Sequence, residues 1–184
     1  MAFPAVFVDR DGTLMEEVNY CSDPKLVRVF PGTPEALRDL KRAGYRVVII
    51  TNQAGIGRGY FTEAQYHAVH AELIHQLGDG VNGVPLIDGT YFCPDAPPTD
   101  SPRRKPEPGM VLEAAGELDI DLSRSWFIGD KTADIECGRS AGTRTILVHT
   151  GYGAKEIHSK PDFMAKDVVA AAQIILQNSD ATTR

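Results

Sequence analysis

The sequence is short of cysteine and of positive charge, and it lacks any long apolar run. Its three cysteines, Cys21, Cys93 and Cys137, are far apart, odd in number and contain no CxxC pair. That argues against a disulfide framework and a structural zinc site, so free buried thiols are expected. The 19 basic residues are outnumbered by 25 acidic ones, for a formal net charge of −6. Such a balance weakens any case for broad binding to nucleic acid or an anionic membrane, while leaving room for a small local anion site. No apolar stretch approaches the ~20 residues of a membrane span. The N-terminal stretch meets Asp9 within a few residues and has no basic segment before it, unlike a signal peptide. A cytoplasmic monomer with neither nucleic-acid nor membrane partners is expected.

Length and patterning say what is there instead. The 184 residues suit one domain, 1–184, with a good core. There is no internal repeat or linker, and the end looks frayed from about residue 178. The organising stretch is Val6-Phe7-Val8-Asp9-Arg10-Asp11-Gly12-Thr13. A buried strand over 5–8 runs into two acids one residue apart, and alternate positions of a strand share a face. Carboxylates at that spacing can hold a hard cation such as Mg²⁺, and one can also serve as nucleophile or acid/base. A plain strand-to-turn corner with solvated acids is the competing reading.

The rest of the chain alternates strand and helix. Residues 14–32 read as irregular, with breakers at Asn19, Asp23-Pro24 and Pro31-Gly32. Thr33-Pro34-Glu35 opens a helix that Gly44 stops, with Thr33 as cap. Residues 46–50 form a second buried strand, so the pattern implies a parallel βαβ unit with a right-handed crossover. Thr51-Asn52-Gln53 follows that strand at once, on the edge where open parallel sheets bind ligands. The glycine-rich run 54–59 resembles a phosphate cradle but fits neither the Walker pattern nor GxGxxG. Arg58 within it is a candidate substrate contact. A helix over 62–77 carries His67, His70 and His75, whose spacings do not share one face, so they read as solvated.

A third strand falls within 86–92. Cys93 to Pro108 holds six prolines and reads as a stiff surface loop. Arg103-Arg104-Lys105 near its end suits an anion clamp. A helix follows to Leu118. Residues 125–129 form a fourth strand that again ends in Gly and an acid, Gly129-Asp130, with Lys131 beside it and Asp134 four residues on in a helix from about 132 to 142. Residues 145–148 form a fifth strand, and 168–176 a closing helix.

Taken in order, Asp9-x-Asp11-Gly12-Thr13, Thr51, Lys105 and Gly129-Asp130-x3-Asp134 resemble the four motifs of the haloacid dehalogenase superfamily of phosphatases over nearly the full length. Three further stretches narrow the resemblance to the heptose-bisphosphate phosphatases: Thr51-Asn52-Gln53 with Gly55-Ile56-Gly57-Arg58-Gly59, Phe61-Thr62-Glu63-Ala64-Gln65, and Cys93-Pro94 with Arg104-Lys105-Pro106. Histidinol-phosphatases share the general plan. The resemblance implies an α/β, Rossmann-like three-layer parallel sheet with helices on both faces. No long insertion follows the first motif or precedes Lys105, so no large cap domain is expected.

The resemblance also implies roles. Asp9 is the nucleophile. Asp11 is the acid that protonates the leaving sugar oxygen and then the base that activates water. Mg²⁺ is held by Asp9, Asp130 and the Asp11 backbone carbonyl. Thr51 and Lys105 bind the transferring phosphoryl oxygens, and Lys131 orients Asp9 or the phosphate, while Asp134 supports the site. Asn52, Arg58 and Arg104 are substrate contacts, and Arg104 can fork a second phosphate. The implied partner is a small phosphorylated sugar.

One departure stands out. Those relatives carry a zinc loop of three cysteines and a histidine before the Arg-Lys-Pro. Here only Cys93 matches; Asp95 stands where the histidine is expected, and Ser101 and Arg103 where cysteines are. One ligand cannot build a tetrahedral site, so no zinc is expected. Three other readings compete. A histidinol-phosphate phosphatase would use the same machinery. A polynucleotide 3′-phosphatase shares the Thr-Asn-Gln look but wants a basic stripe. A receiver-like signalling domain keeps its acid pair and phospho-acceptor on different strands.

Overall fold

The computed structural model describes residues 2–156 and 158–179. Its frame is one six-stranded, wholly parallel sheet in the order β3-β2-β1-β4-β5-β6. The strands are β1 (Ala5–Val8), β2 (Arg46–Asn52), β3 (Gly89–Cys93), β4 (Trp126–Gly129), β5 (Arg144–Val148) and β6 (Phe163–Ala165). The helices are α1 (Thr33–Arg42), α2 (Ala54–Gly57), α3 (Glu63–Leu77), α4 (Gly109–Glu117), α5 (Thr132–Ala141) and α6 (Val168–Ser179).

β1 is buried at all four positions because a central parallel strand is covered on both faces. Alternation along the strands divides the core. Val6, Val8, Val47, Ile49 and Ile128 face the layer of α1, α3 and α6. Phe7, Val48, Ile50 and Phe127 face α4 and α5. The three-layer arrangement expected from the resemblance is therefore present.

Several local expectations are corrected. Thr33 is the first helical residue of α1 rather than its cap; Gly32 takes the cap position with φ +79° and no side-chain bond. The run at 54–59, which matches neither phosphate-loop pattern, holds a short helix, α2. β6 was not anticipated; it is a three-residue edge strand, and Asp162 fixes its start by accepting from the Thr145 amide at 2.7 Å. α6 stays helical through Ser179, whose hydroxyl donates to the Ile175 carbonyl, so fraying does not begin at 178. The end of the frayed stretch lies outside the described residues. α3 opens as read, on a capping box in which Thr62 accepts from the Gln65 amide and Gln65 accepts in return. Its histidines divide: His67 and His75 are exposed, but His70 is half-buried and reaches Thr90. No helix among the described residues is long and apolar enough to cross a membrane.

The strand order reverses direction at β1 and β4, which are neighbours. Carboxyl ends of strands at such a switch point form a crevice that binds ligands. Asp9 leaves β1 there, and Asp130 leaves β4.

Candidate active site

Asp9 is fixed before its side chain does anything, because its amide donates to the Ile128 carbonyl of β4 at 3.0 Å. Its carboxylate Oδ1 accepts from Lys105 Nζ at 2.8 Å. The same ammonium lies 2.6 Å from Asp134 Oδ1 and donates to the Ile50 carbonyl at 2.8 Å. Lys105 is almost wholly buried. Burial alone would push its ammonium below the usual lysine value, but Asp134 and Asp9 outweigh that and hold it above. Burial likewise works to raise the Asp9 carboxyl, and Lys105 and Lys131 overcome it, so Asp9 sits below the ordinary carboxylate range.

Asp130 is 0% exposed, and among the described residues no ammonium or guanidinium pairs with it directly; Lys131 opposes its rise only from a distance. Burial first, and the Asp9 charge second, push its carboxyl up to about 8. Its Oδ2 accepts from the Tyr152 amide at 2.8 Å and its Oδ1 lies 3.5 Å from the Thr13 hydroxyl. Glycines let the backbone crowd it: a Cβ at Gly12 (φ +86°) would come 2.4 Å from Asp130 Oδ2, and one at Gly151 2.2 Å.

Asp9, Asp130 and Asp134 each offer an oxygen, and these oxygens lie within 4.8 Å of one another. Among the described residues three buried carboxyl groups face the one buried ammonium of Lys105, and the crowding that raises Asp130 is what a bound cation would relieve. An all-oxygen donor set of this kind fits a hard divalent cation. Asp134 is the most committed of the three. Besides Lys105 its Oδ2 accepts from the Lys131 amide at 3.0 Å, and burial raises its carboxyl.

The Asp11 side chain points elsewhere. Arg10 grips it with two bonds, Nε to Oδ2 at 2.9 Å and Nη2 to Oδ1 at 3.1 Å, and Gln53 Nε2 donates to Oδ2 at 3.0 Å. The Asp11 carboxylate is accordingly not among the three that come together around Asp9.

The other candidates sort by position. Asp9, Asp11, Thr51, Asn52, Arg104, Lys105 and Lys131 all line one cavity of about 370 Å³. Thr51 brings its hydroxyl to Gln53 at 2.9 Å. Asn52 uses both ends of its amide on the backbone of Lys105, at 3.0 and 3.1 Å, so it orders the loop that delivers Lys105. Arg104 is anchored by Nη1 to the Asp95 carbonyl at 2.9 Å. Lys131 pairs with Glu17 at 3.1 Å, beside the Tyr152 ring. Arg58 is exposed and does not line the cavity. Arg103, of the basic triplet, turns away to Glu113 and the Phe92 carbonyl.

Sequence reasoning missed Arg10, Gln53 and Glu17. Arg10 had a signal, since a cation set between Asp9 and Asp11 directly after a buried strand must find a partner. Glu17 had none, because it comes from an irregular segment.

Comparison with known proteins gives consistent results. Residues 102–171 match a family model described as HAD-hydrolase-like. A D-glycero-D-manno-heptose-1,7-bisphosphate 7-phosphatase of Thermosynechococcus vestitus is 38% identical, over 95% of this chain and 96% of that protein. A D-glycero-beta-D-manno-heptose-1,7-bisphosphate 7-phosphatase of Pasteurella multocida is 42% identical over 80% and 82%. The crystal structure of a D,D-heptose 1,7-bisphosphate phosphatase from B. bronchiseptica, complexed with magnesium and phosphate, superposes with a TM-score of 0.85 at 31% identity, covering 95% of this chain and 99% of that one.

Proposed function

We propose that this chain, which belongs to the haloacid dehalogenase-like family of phosphatases, removes the 7-phosphate of D-glycero-D-manno-heptose 1,7-bisphosphate through an aspartyl-phosphate on Asp9. The observation that carries the chemistry is the Asp9–Lys105 pair: a buried carboxylate kept ionised at the switch point of the sheet. The substrate comes from the named relatives, which match at 38–42% identity.

In the first step an Asp9 carboxylate oxygen bonds to phosphorus as the bond from phosphorus to the sugar oxygen breaks. The departing oxygen takes the proton carried by Asp11. In the second step water attacks the phosphorus and gives its proton to Asp11, and the Asp9–phosphorus bond breaks to release inorganic phosphate. Lys105 and the Thr51 hydroxyl hold phosphoryl oxygens through both steps, which places positive and hydrogen-bonding groups where charge redistributes. Asp9, Asp130 and the Asp11 carbonyl would hold Mg²⁺, which when bound would supply charge neutralisation for the phosphoryl group. Asp134 and Asn52 keep Lys105 in place. Arg104, at the cavity, takes the second phosphate, and Lys131 balances the negative charge of Asp9 and Asp130. The whole chain acts as one phosphatase domain.

Zinc has no part in this reading. Cys93 instead donates to Asp95 at 3.5 Å and meets the Ser101 hydroxyl at 3.7 Å, while Arg103 bonds the Phe92 carbonyl. Side-chain hydrogen bonds thus join three of the four positions where the relatives' ligands are expected, while the fourth, Arg103, turns to the Phe92 carbonyl and Glu113.

The test is Mg²⁺-dependent phosphate release from both anomers of heptose 1,7-bisphosphate, from histidinol phosphate and from a DNA 3′-phosphate. A heptose bisphosphate is expected to lead in kcat/KM by at least ~10²-fold. Histidinol phosphate in the lead would overturn the substrate and keep the mechanism.

A further inference from the structure

Resting on the phosphatase reading above, we propose that Arg10 is the positioning residue for Asp11. Its guanidinium sets the direction from which the Asp11 carboxyl meets the leaving oxygen, and Gln53 assists it.

Arginine is rarely buried without a strong reason, yet Arg10 is 1% exposed. Its fork holds both oxygens of Asp11, at 2.9 and 3.1 Å. Its outer face lies over the buried Tyr66 ring, 5.3 Å from the centroid. Its remaining nitrogen, Nη1, is buried with no hydrogen-bond partner among the described residues. A side chain placed for stability alone would not leave that group unsatisfied. What the arrangement supplies is orientation, since a planar fork fixes the plane of the carboxylate it grips.

Gln53 adds a third donor from a different strand end. Its Nε2 reaches Asp11 Oδ2 at 3.0 Å while also bonding the Thr51 hydroxyl at 2.9 Å. The plane of Asp11 is thereby tied to the residue that binds phosphoryl oxygen. The two acids of the Asp9-x-Asp11 pair have separate anchors: Lys105 for Asp9, Arg10 and Gln53 for Asp11. Separate anchors suit separate tasks, one acid attacking phosphorus and the other carrying a proton.

The experiment uses two substrates that differ in their need for that proton. 4-Nitrophenyl phosphate loses a stable phenolate, whereas the sugar oxygen of heptose 1,7-bisphosphate must be protonated as it leaves. kcat/KM covers steps up to the first departure and so isolates the acid role. In Arg10→Lys, which keeps the charge and loses the fork, the ratio of sugar to aryl kcat/KM is expected to fall ~10- to 10²-fold, within the range that a positioned acid supplies. Gln53→Leu is expected to lower the same ratio by ~3- to 10-fold, and it decides the matter if Arg10→Lys does not fold. An equal fall on both substrates would make the role merely structural and overturn the proposal. If the wild type hydrolysed neither substrate, the phosphatase reading would fail along with it.

Discussion

Lys105 Nζ lies 2.8 Å from Asp9 Oδ1 although 96 residues separate the two in the chain. The contact joins a loop after β3 to the tip of β1, and Asp134 closes the other side at 2.6 Å. Lys105→Met would leave three buried carboxylates without their buried cation. Removing one member of such a cluster costs about 3–5 kcal/mol. Urea unfolding in Mg²⁺-free buffer is expected to show a loss of that order. Activity is expected to fall ~10²- to 10³-fold with it. Unchanged stability would mean that Lys105 does not neutralise this cluster.

Gly12 sets how closely the first loop approaches the second acid. Alanine there would place Cβ 2.4 Å from Asp130 Oδ2 at a φ of +86°. Gly12→Ala is therefore expected to displace the Asp130 carboxylate and weaken Mg²⁺ binding by at least ~10-fold. The readout is thermal stabilisation by Mg²⁺. At ~100 times its dissociation constant the ion should add about 2.7 kcal/mol to the wild type. The variant should need correspondingly more ion for the same gain. EDTA should abolish the gain in both.

How much of this could be read from the sequence depended on whether a residue's task was local. Asp9, Asp11 and Asp130 were legible because an apolar strand that ends in acids is a local pattern. Lys105 was legible through its motif, but its burial was not, since that depends on Asp134 and Ile50 closing round it. Asn52 sat in the right place with a different engagement: both ends of its amide go to the Lys105 backbone, a contact across the fold. Arg58 shares a glycine-rich run with the site, yet α2 turns it outward. β6 gave little warning because Phe163-Met164-Ala165 is too short for an alternating pattern to appear.

His70 gives a pH dependence away from the active site. It stacks near Tyr66, bonds the Thr90 hydroxyl at 3.3 Å, and has its Nδ1 buried without a partner among the described residues. Burial first, then the Arg10 and His67 charges, pushes its imidazole down to about 4 from 6.5. The folded protein thus keeps His70 neutral where the unfolded chain takes up a proton. Stability is complete above about pH 6.5 and is lost as pH falls toward 4, by roughly 1–3 kcal/mol once its partial exposure is allowed for. Urea unfolding at pH 7 and pH 4.5 should show this loss, and His70→Gln should show less of it. Equal losses in both proteins would contradict the assignment.

Cys93 should behave as a buried thiol and not as a metal ligand. Elemental analysis of the purified protein is expected to find no stoichiometric zinc, and a zinc chelator should leave Tm unchanged. Ser101→Cys restores only one sulfur and is not expected to create a site, because Asp95 and Arg103 still occupy the other two positions. Stoichiometric zinc would require a different account of the loop.

Turnover through Asp9 requires a covalent phosphoryl group on its carboxylate. Acid-quenched turnover mixtures with Mg²⁺ and heptose 1,7-bisphosphate, followed by mass spectrometry of the protein, test it most directly. One added phosphoryl group is expected, located on Asp9 and absent from a folded Asp9→Asn variant that has lost at least ~10⁴-fold of turnover. Retained turnover by Asp9→Asn, or a phosphoryl group on another residue, would contradict it.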